Sequence, residues 1–114
     1  MTQEMLESAY ERAAAAQGAA GDNGDYRKAN AAYDEVSRVL KEVRRLPDRG
    51  MELLTRLARN ENPHVRLWAA THLLPLDEVM ALAVLSALTS EPPFCGINAE
   101  MTIQEWKAGR LKIS

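Results

Sequence analysis

Apolar residues in this chain recur three and four apart through almost every segment, the spacing that gathers them on one face of an α-helix. Leu6, Tyr10, Ala13 and Ala14 open the series and predict a first helix of modest hydrophobicity, its alanines small enough to lie close against a neighbour. Gly18, Gly21 and Gly24 then frame "GAAGDNGD", which reads as a loop. Tyr26, Ala29, Tyr33, Val36, Leu40 and Val43 resume the pattern, with Glu35, Arg38, Lys41, Glu42, Arg44 and Arg45 on the other face, so the second helix is strongly amphipathic. That seam falls short of the roughly three to four heptads of a coiled coil and is expected to pack within the chain. Pro47 and Asp48 break the helix and start a short third one, buried through Met51, Leu54, Leu57 and Ala58 and ending near Asn60.

The stretch "NPHVRLWAATHLL" carries helix-start signals and then more apolar residues than one face needs. Asn62 is placed to cap free amides, and Pro63 suits the first helical position, where its missing N–H would be unpaired in any case. Val65, Trp68, Ala69, His72 and Leu73 form one face, Leu67, Ala70 and Leu74 widen it, and Pro75 closes the helix. Asp77 is a second cap. It precedes "EVMALAVLSALTS", apolar almost all round, which predicts a helix covered on more than one side. Glu91, Pro92 and Pro93 stop it, "FCGIN" reads as a loop, and Ala99, Ile103 and Trp106 define a last helix ending near Gly109. The expectation is all-α: six helices, no strands, stacked as antiparallel pairs. Its predicted core holds Leu54, Leu57, Val65, Trp68, Ala69, Leu73, Val79, Ala83, Leu88, Ile103 and Trp106.

A chain of 114 residues has the size of one domain, here an N-terminal helical pair over 1–45 followed by 46–114. Its one cysteine, Cys95, excludes an intrachain disulfide and suits a reducing compartment. The first residues carry no basic leader, and the longest apolar run, 79–85, is far short of a membrane span, so a cytoplasmic protein without a membrane partner is expected. Charge is uneven: five acids and one base in 1–25, ten bases and six acids in 26–66, three bases and five acids in 67–114.

"NPHVRLWAATHLL" resembles the second helix of a HEAT repeat, with Pro63, Val65, Arg66, Ala69, Ala70 and Leu73 at the pattern's positions, and "MELLTRLARN" looks like the first helix of the same repeat. Over about residues 46–111 the chain also resembles a small bacterial family of domains of unknown function with an armadillo-like superhelix, through "VRLWAATHLL", the apolar helix after it and the closing Glu105, Trp106, Gly109 and Leu111. The resemblance implies a right-handed α–α superhelix of about six helices. It implies no activity and no active site.

The residues themselves offer little chemistry. His64 and His72 are eight apart on one helix, roughly 12 Å, too far to share a metal, and are read as structural. Arg66 is expected to pair with Asp48 or Glu61. Asp77 and Glu78 are adjacent and diverge, which favours capping over paired acid–base work. Cys95 has neither a base nor a helix amino end beside it in the sequence, the setting of an inert thiol. Trp68 and Trp106 are read as core anchors. No catalytic, cofactor or metal site emerges, and the chain is not expected to be an enzyme. The expected function is a non-catalytic module that docks another protein, with Arg44, Arg45, Arg56 and Arg59 as the interaction surface; one specific form is an immunity-type inhibitor that caps a toxin. The alternative is a HEAT-like nucleic-acid binder using the basic 38–66 region, against which stands the acidic sequence pI of about 5.7.

Overall fold

Side-chain oxygens start four of the helices. Thr2, Asp25, Asn62 and Asp77 accept from the amides of Met5, Lys28, His64 and Met80 at 2.9–3.2 Å, which pairs donors that the first helical turn leaves free. They open α1 (Gln3–Asp22), α2 (Tyr26–Arg44), α4 (Pro63–Leu73) and α5 (Glu78–Leu88); α3 (Arg49–Leu57) and α6 (Phe94–Lys107) complete the set. The computed structural model describes residues 2–46, 49–91 and 94–111, and among these there is no strand. The chain break expected at Pro47 and Asp48 lies outside the described residues. Gly24 and Gly109 adopt φ of 71° and 73° after α1 and α6, the left-handed conformation in which a side chain is strained.

α1 and α2, joined through Asn23, Gly24 and Asp25, pack along each other, while α4 touches α1, α3, α5 and α6. A single cluster of buried side chains runs through all six helices, from Leu6 and Tyr10 through Val36, Leu54, Val65, Leu73 and Leu85 to Ala99. Ala69, Ala70, Ala81 and Ala99 are wholly buried, so the small side chains lie where helices meet. The radius of gyration, 13.1 Å, is about that expected of a compact chain of this length. Among the described residues no helix is long and apolar enough to cross a membrane.

The breadth of α4 is explained as expected: Val65, Ala69, Ala70, His72, Leu73 and Leu74 are all buried, between α1 on one side and α3, α5 and α6 on others. α5 departs from expectation. Only Ala81, Leu85 and Leu88 are buried, Val79 is 83% exposed, and Ala83 is exposed as well. Its two packing partners, α4 and α6, cover one side, so an apolar surround does not prove two-sided cover. Trp68, Ile103 and Trp106 are half-buried against the core's edge, and Met51, expected inside, is exposed.

Two predicted loops are helical. α1 continues through Gly18 and Gly21 to Asp22, and α6 begins at Phe94, taking in all of "FCGIN". Both extensions matter for the chemistry below.

Candidate functional site

Two arrangements stand out, on different parts of α4. The first is a groove of about 390 Å³ between α1, α2, α4 and α6. Leu40, Leu67, Trp68, Met101 and Leu111 make its apolar walls, and Gln17, Tyr33, Thr71, His72 and Glu105 border it. The order of these walls comes from side-chain contacts. Trp68 donates from Nε1 to Gln17 Oε1 at 3.1 Å, and Tyr33 meets the indole edge-on with centroids 5.5 Å apart. Leu111 is brought to the rim by the end of α6. There Gly109 turns left-handed, the Arg110 and Leu111 amides return to the Glu105 carbonyl, and Arg110 grips the Glu105 carboxylate at 2.9 and 3.0 Å. That pairing holds the Glu105 carboxyl below its usual range.

His72 gives the groove its polarity. Tyr10 is fully buried and burial pushes its hydroxyl well above the usual 10, so it stays protonated; His72 Nδ1, at 2.7 Å, is its one partner among the described residues, and the O–H is assigned as the donor to it. Burial, reinforced by the charge of Arg44, lowers His72 to about 3 and keeps the ring neutral. With Nδ1 accepting, the ring's one proton sits on Nε2. No described residue accepts that N–H, and the ring edge not taken by Tyr10 is the one left to border the groove. Nε2 is not among the buried atoms left without a partner, so it reaches the open groove, where an acceptor can pair with it.

The second arrangement is a relay. His64 Nε2 contacts Asp22 Oδ2 at 2.8 Å, and His64 Nδ1 contacts Cys95 Sγ at 3.1 Å. Asp22 ends α1, His64 lies in the first turn of α4, and Cys95 lies in the first turn of α6. Here the reading of Cys95 as a thiol without a base or a helix amino end is corrected: it has both. Gly18 makes the relay possible, because a Cβ there would stand 2.0 Å from His64 Cγ. Burial, then Asp22 and Glu91, push the Cys95 thiol up, against a smaller downward effect of Arg66. The thiol therefore rests as S–H donating to Nδ1, with the Asp22 carboxylate accepting from Nε2–H. One partner on each ring nitrogen makes a hydrogen-bonded line, not a cage for a metal.

Arg44, Arg45, Arg56 and Arg59 are all exposed. Two of them are tied to carboxylates of the chain itself: Arg56 to Glu7 at 2.6 Å, which joins α3 to α1, and Arg45 to Glu42 at 3.1 Å. Part of the acidic-to-basic asymmetry is thus answered within the molecule. Arg66 pairs with Glu91 at 3.5 Å, not with Glu61; Asp48 lies outside the described residues. Its Nε is buried without a partner. Trp68 is a groove wall more than a core anchor, whereas Asp77 caps α5 as expected.

Sequence reasoning missed Asp22, His64 and Cys95 as a unit because 42 and 31 positions separate the partners. The one local signal was a glycine, Gly18, inside an alanine-rich helical pattern, which marks close approach as readily as a break. Compared with models of known families, with curated proteins and with solved structures, the chain finds no match.

Proposed function

We propose that the chain is a non-catalytic interaction module that docks a segment of another protein in the groove. The occupant is a bulky apolar side chain set beside a backbone carbonyl, the carbonyl accepting from His72 Nε2–H. That donor, on a buried ring whose free edge opens onto apolar walls, is the observation that carries the reading. The apolar surface also continues past the groove: Tyr33 is 49% exposed, Met101 56%, and Ile97, one turn before Met101 on α6, 57%. A small molecule in the groove would leave Ile97 wet, whereas a peptide segment covers it. An aromatic anchor in a desolvated pocket commonly supplies much of such a complex's affinity.

In the same proposal the helices form a right-handed, HEAT-like superhelix of the bacterial family named above, with α3 and α4 as the full repeat. The packing of α3 on α4, α4 on α5 and α5 on α6 supports it. The cytoplasm is the proposed setting, consistent with an unpaired Cys95. Nucleic acid as the partner loses support from the Arg45–Glu42 and Arg56–Glu7 pairs, which tie two arginines of the basic 38–66 region to carboxylates of the chain; the same pairs count against Arg45 and Arg56 as a protein-docking surface.

The test places a photo-crosslinking residue at Met101 and, as a control, at exposed Lys28, in the cells where the chain is native. We expect one protein to be captured from position 101 and not from 28. Its cross-linked peptide should contain a large apolar side chain, and Thr71→Trp, which fills the groove, should abolish capture without lowering the melting midpoint. Capture that survives Thr71→Trp, or equal capture from both positions, overturns the reading, as does a small molecule released from the purified protein by denaturation. The narrower immunity-type form requires that the captured partner be toxic and that wild type, but not Thr71→Trp, relieve its lethality.

A further inference from the structure

The relay is separate from the groove, since none of Asp22, His64 and Cys95 lines it. Its geometry asks for an account of its own. A thiol, an imidazole and a carboxylate in hydrogen-bonded sequence is the arrangement in which a base takes a nucleophile's proton while a third group fixes the base's tautomer. Three features narrow what such a nucleophile can attack. Cys95 is only 2% exposed, so the reagent must be small. The carboxylates of Asp22 and Glu91 both act on the thiol, so an anion is repelled. The Gly96 amide is already bonded to the Glu91 carbonyl at 2.9 Å, so it is not free to hold the oxyanion that acyl transfer would form.

A small, uncharged electrophile that needs no oxyanion site is hydrogen peroxide. We propose that Cys95 is a peroxide-reactive thiol, with His64 as its proton acceptor and Asp22 as the positioning residue that holds His64 Nε2–H. The sulfur attacks one peroxide oxygen as the S–H proton passes to His64 Nδ1. The O–O bond breaks, and the departing hydroxide takes that proton from His64 and leaves as water. Cys95 gains one hydroxyl to become a sulfenic acid, the sulfur losing the two electrons that the peroxide gains. The push of the thiol upward lowers the thiolate fraction by more than it raises the thiolate's nucleophilicity, so the reaction depends on His64 taking the proton as the sulfur attacks. Arg66 acts on the thiol with the opposite sign to the carboxylates. Because the chain has a single cysteine, no second thiol can close an intrachain disulfide, so the sulfenic acid is left to an external thiol or to further peroxide.

The single cysteine also makes the test unambiguous. The full chain is treated with hydrogen peroxide, the sulfenic acid is trapped with dimedone, and the adduct at Cys95 is followed by mass spectrometry. We expect the native chain to react at least about ten times faster than the same chain unfolded in urea, although folding hides the thiol. His64→Gln should slow the native reaction by about 10²-fold, the lower end for a lost acid–base group. Asp22→Asn should slow it less, and Asp22→Glu should restore part of the loss with no parallel change in melting midpoint. A native rate equal to or below the unfolded rate overturns the proposal without recourse to any variant. So does a folded His64→Gln that keeps the wild-type rate. These outcomes do not depend on what the groove binds.

Discussion

Gly18 sits eight residues into the buried side of α1 from Tyr10, and its missing side chain is the space that the His64 ring fills. A Cβ there would lie 2.0 Å from His64 Cγ, whereas one at Gly21 would meet nothing within 4 Å. The two glycines look alike in sequence and should respond oppositely. Gly18→Ala is expected to cost roughly 1–3 kcal/mol by overpacking and to part His64 from Cys95. Gly21→Ala is expected to gain about 0.4–1 kcal/mol by restraining the unfolded chain. Urea titration of both variants checks the pair, and equal effects would contradict the close approach. His72 carries the residue-scale pH dependence. Its folded value of about 3 lies below the ordinary 6.5, so the unfolded chain binds a proton first as pH falls. The stability this gives is complete above about pH 6.5 and is lost as pH drops toward 3, at up to about 1.4 kcal/mol per unit. Between about pH 7 and about pH 5 the wild type should therefore lose about 2 kcal/mol more than His72→Leu, read from urea midpoints at each pH. None of this was legible from the residues in isolation, since a histidine on an apolar face shows neither its partner nor its depth.

The helices themselves were the legible part, because periodicity and caps are local. Asn62 and Asp77 cap as their positions suggested, and the apolar seam of α2 is buried at Ala29, Val36, Leu40 and Val43. Its two tyrosines are not: Tyr26 is 76% exposed and Tyr33 is given over to the groove. Helix α5 shows where periodicity stops informing. When every position is apolar, the pattern carries no phase, and which side is covered depends on where α4 and α6 lie. The structure buries Leu85 and leaves Val79 in solvent. Val79→Lys should accordingly change stability by no more than about 0.5 kcal/mol, while Leu85→Ala should cost roughly 2–5 kcal/mol. Thermal melts of the two variants decide it; a large loss from Val79→Lys would restore the two-sided cover expected from sequence. The start of α6 was hidden for a related reason. Glycine and asparagine in "FCGIN" weigh against a helix, but Gly96 lies where a Cβ would be 2.7 Å from the Thr89 and Glu91 carbonyls, so a close approach selects it.

At the scale of the molecule, the HEAT-like part proposed for about residues 46–111 raises the question of whether it is a unit in itself. Its packing argues otherwise. α4 leans on α1, and the contacts across that boundary are specific as well as apolar: Tyr10 with His72, Gln17 with Trp68, Asp22 with His64, and Glu7 of α1 with Arg56 of α3. Removing 1–45 would expose Val65, Ala69 and Leu73 wherever α1 and α2 now cover them, and would leave His72 Nδ1 and Trp68 Nε1 without their partners. Each lost partner of a buried polar group costs about 1–3 kcal/mol, against a total stability of only about 5–15 kcal/mol for an ordinary domain. A fragment of residues 46–114 is therefore expected to show weak helicity by circular dichroism and no cooperative melt. The full chain should unfold in one transition, as its continuous core implies. Adding a separate peptide of residues 1–45 should restore helicity at matched concentrations if the surfaces are complementary. A fragment that melts cooperatively by itself would show two stability units and would make the groove, which draws Gln17 and Tyr33 from the first part and Trp68 and Met101 from the second, a site between them.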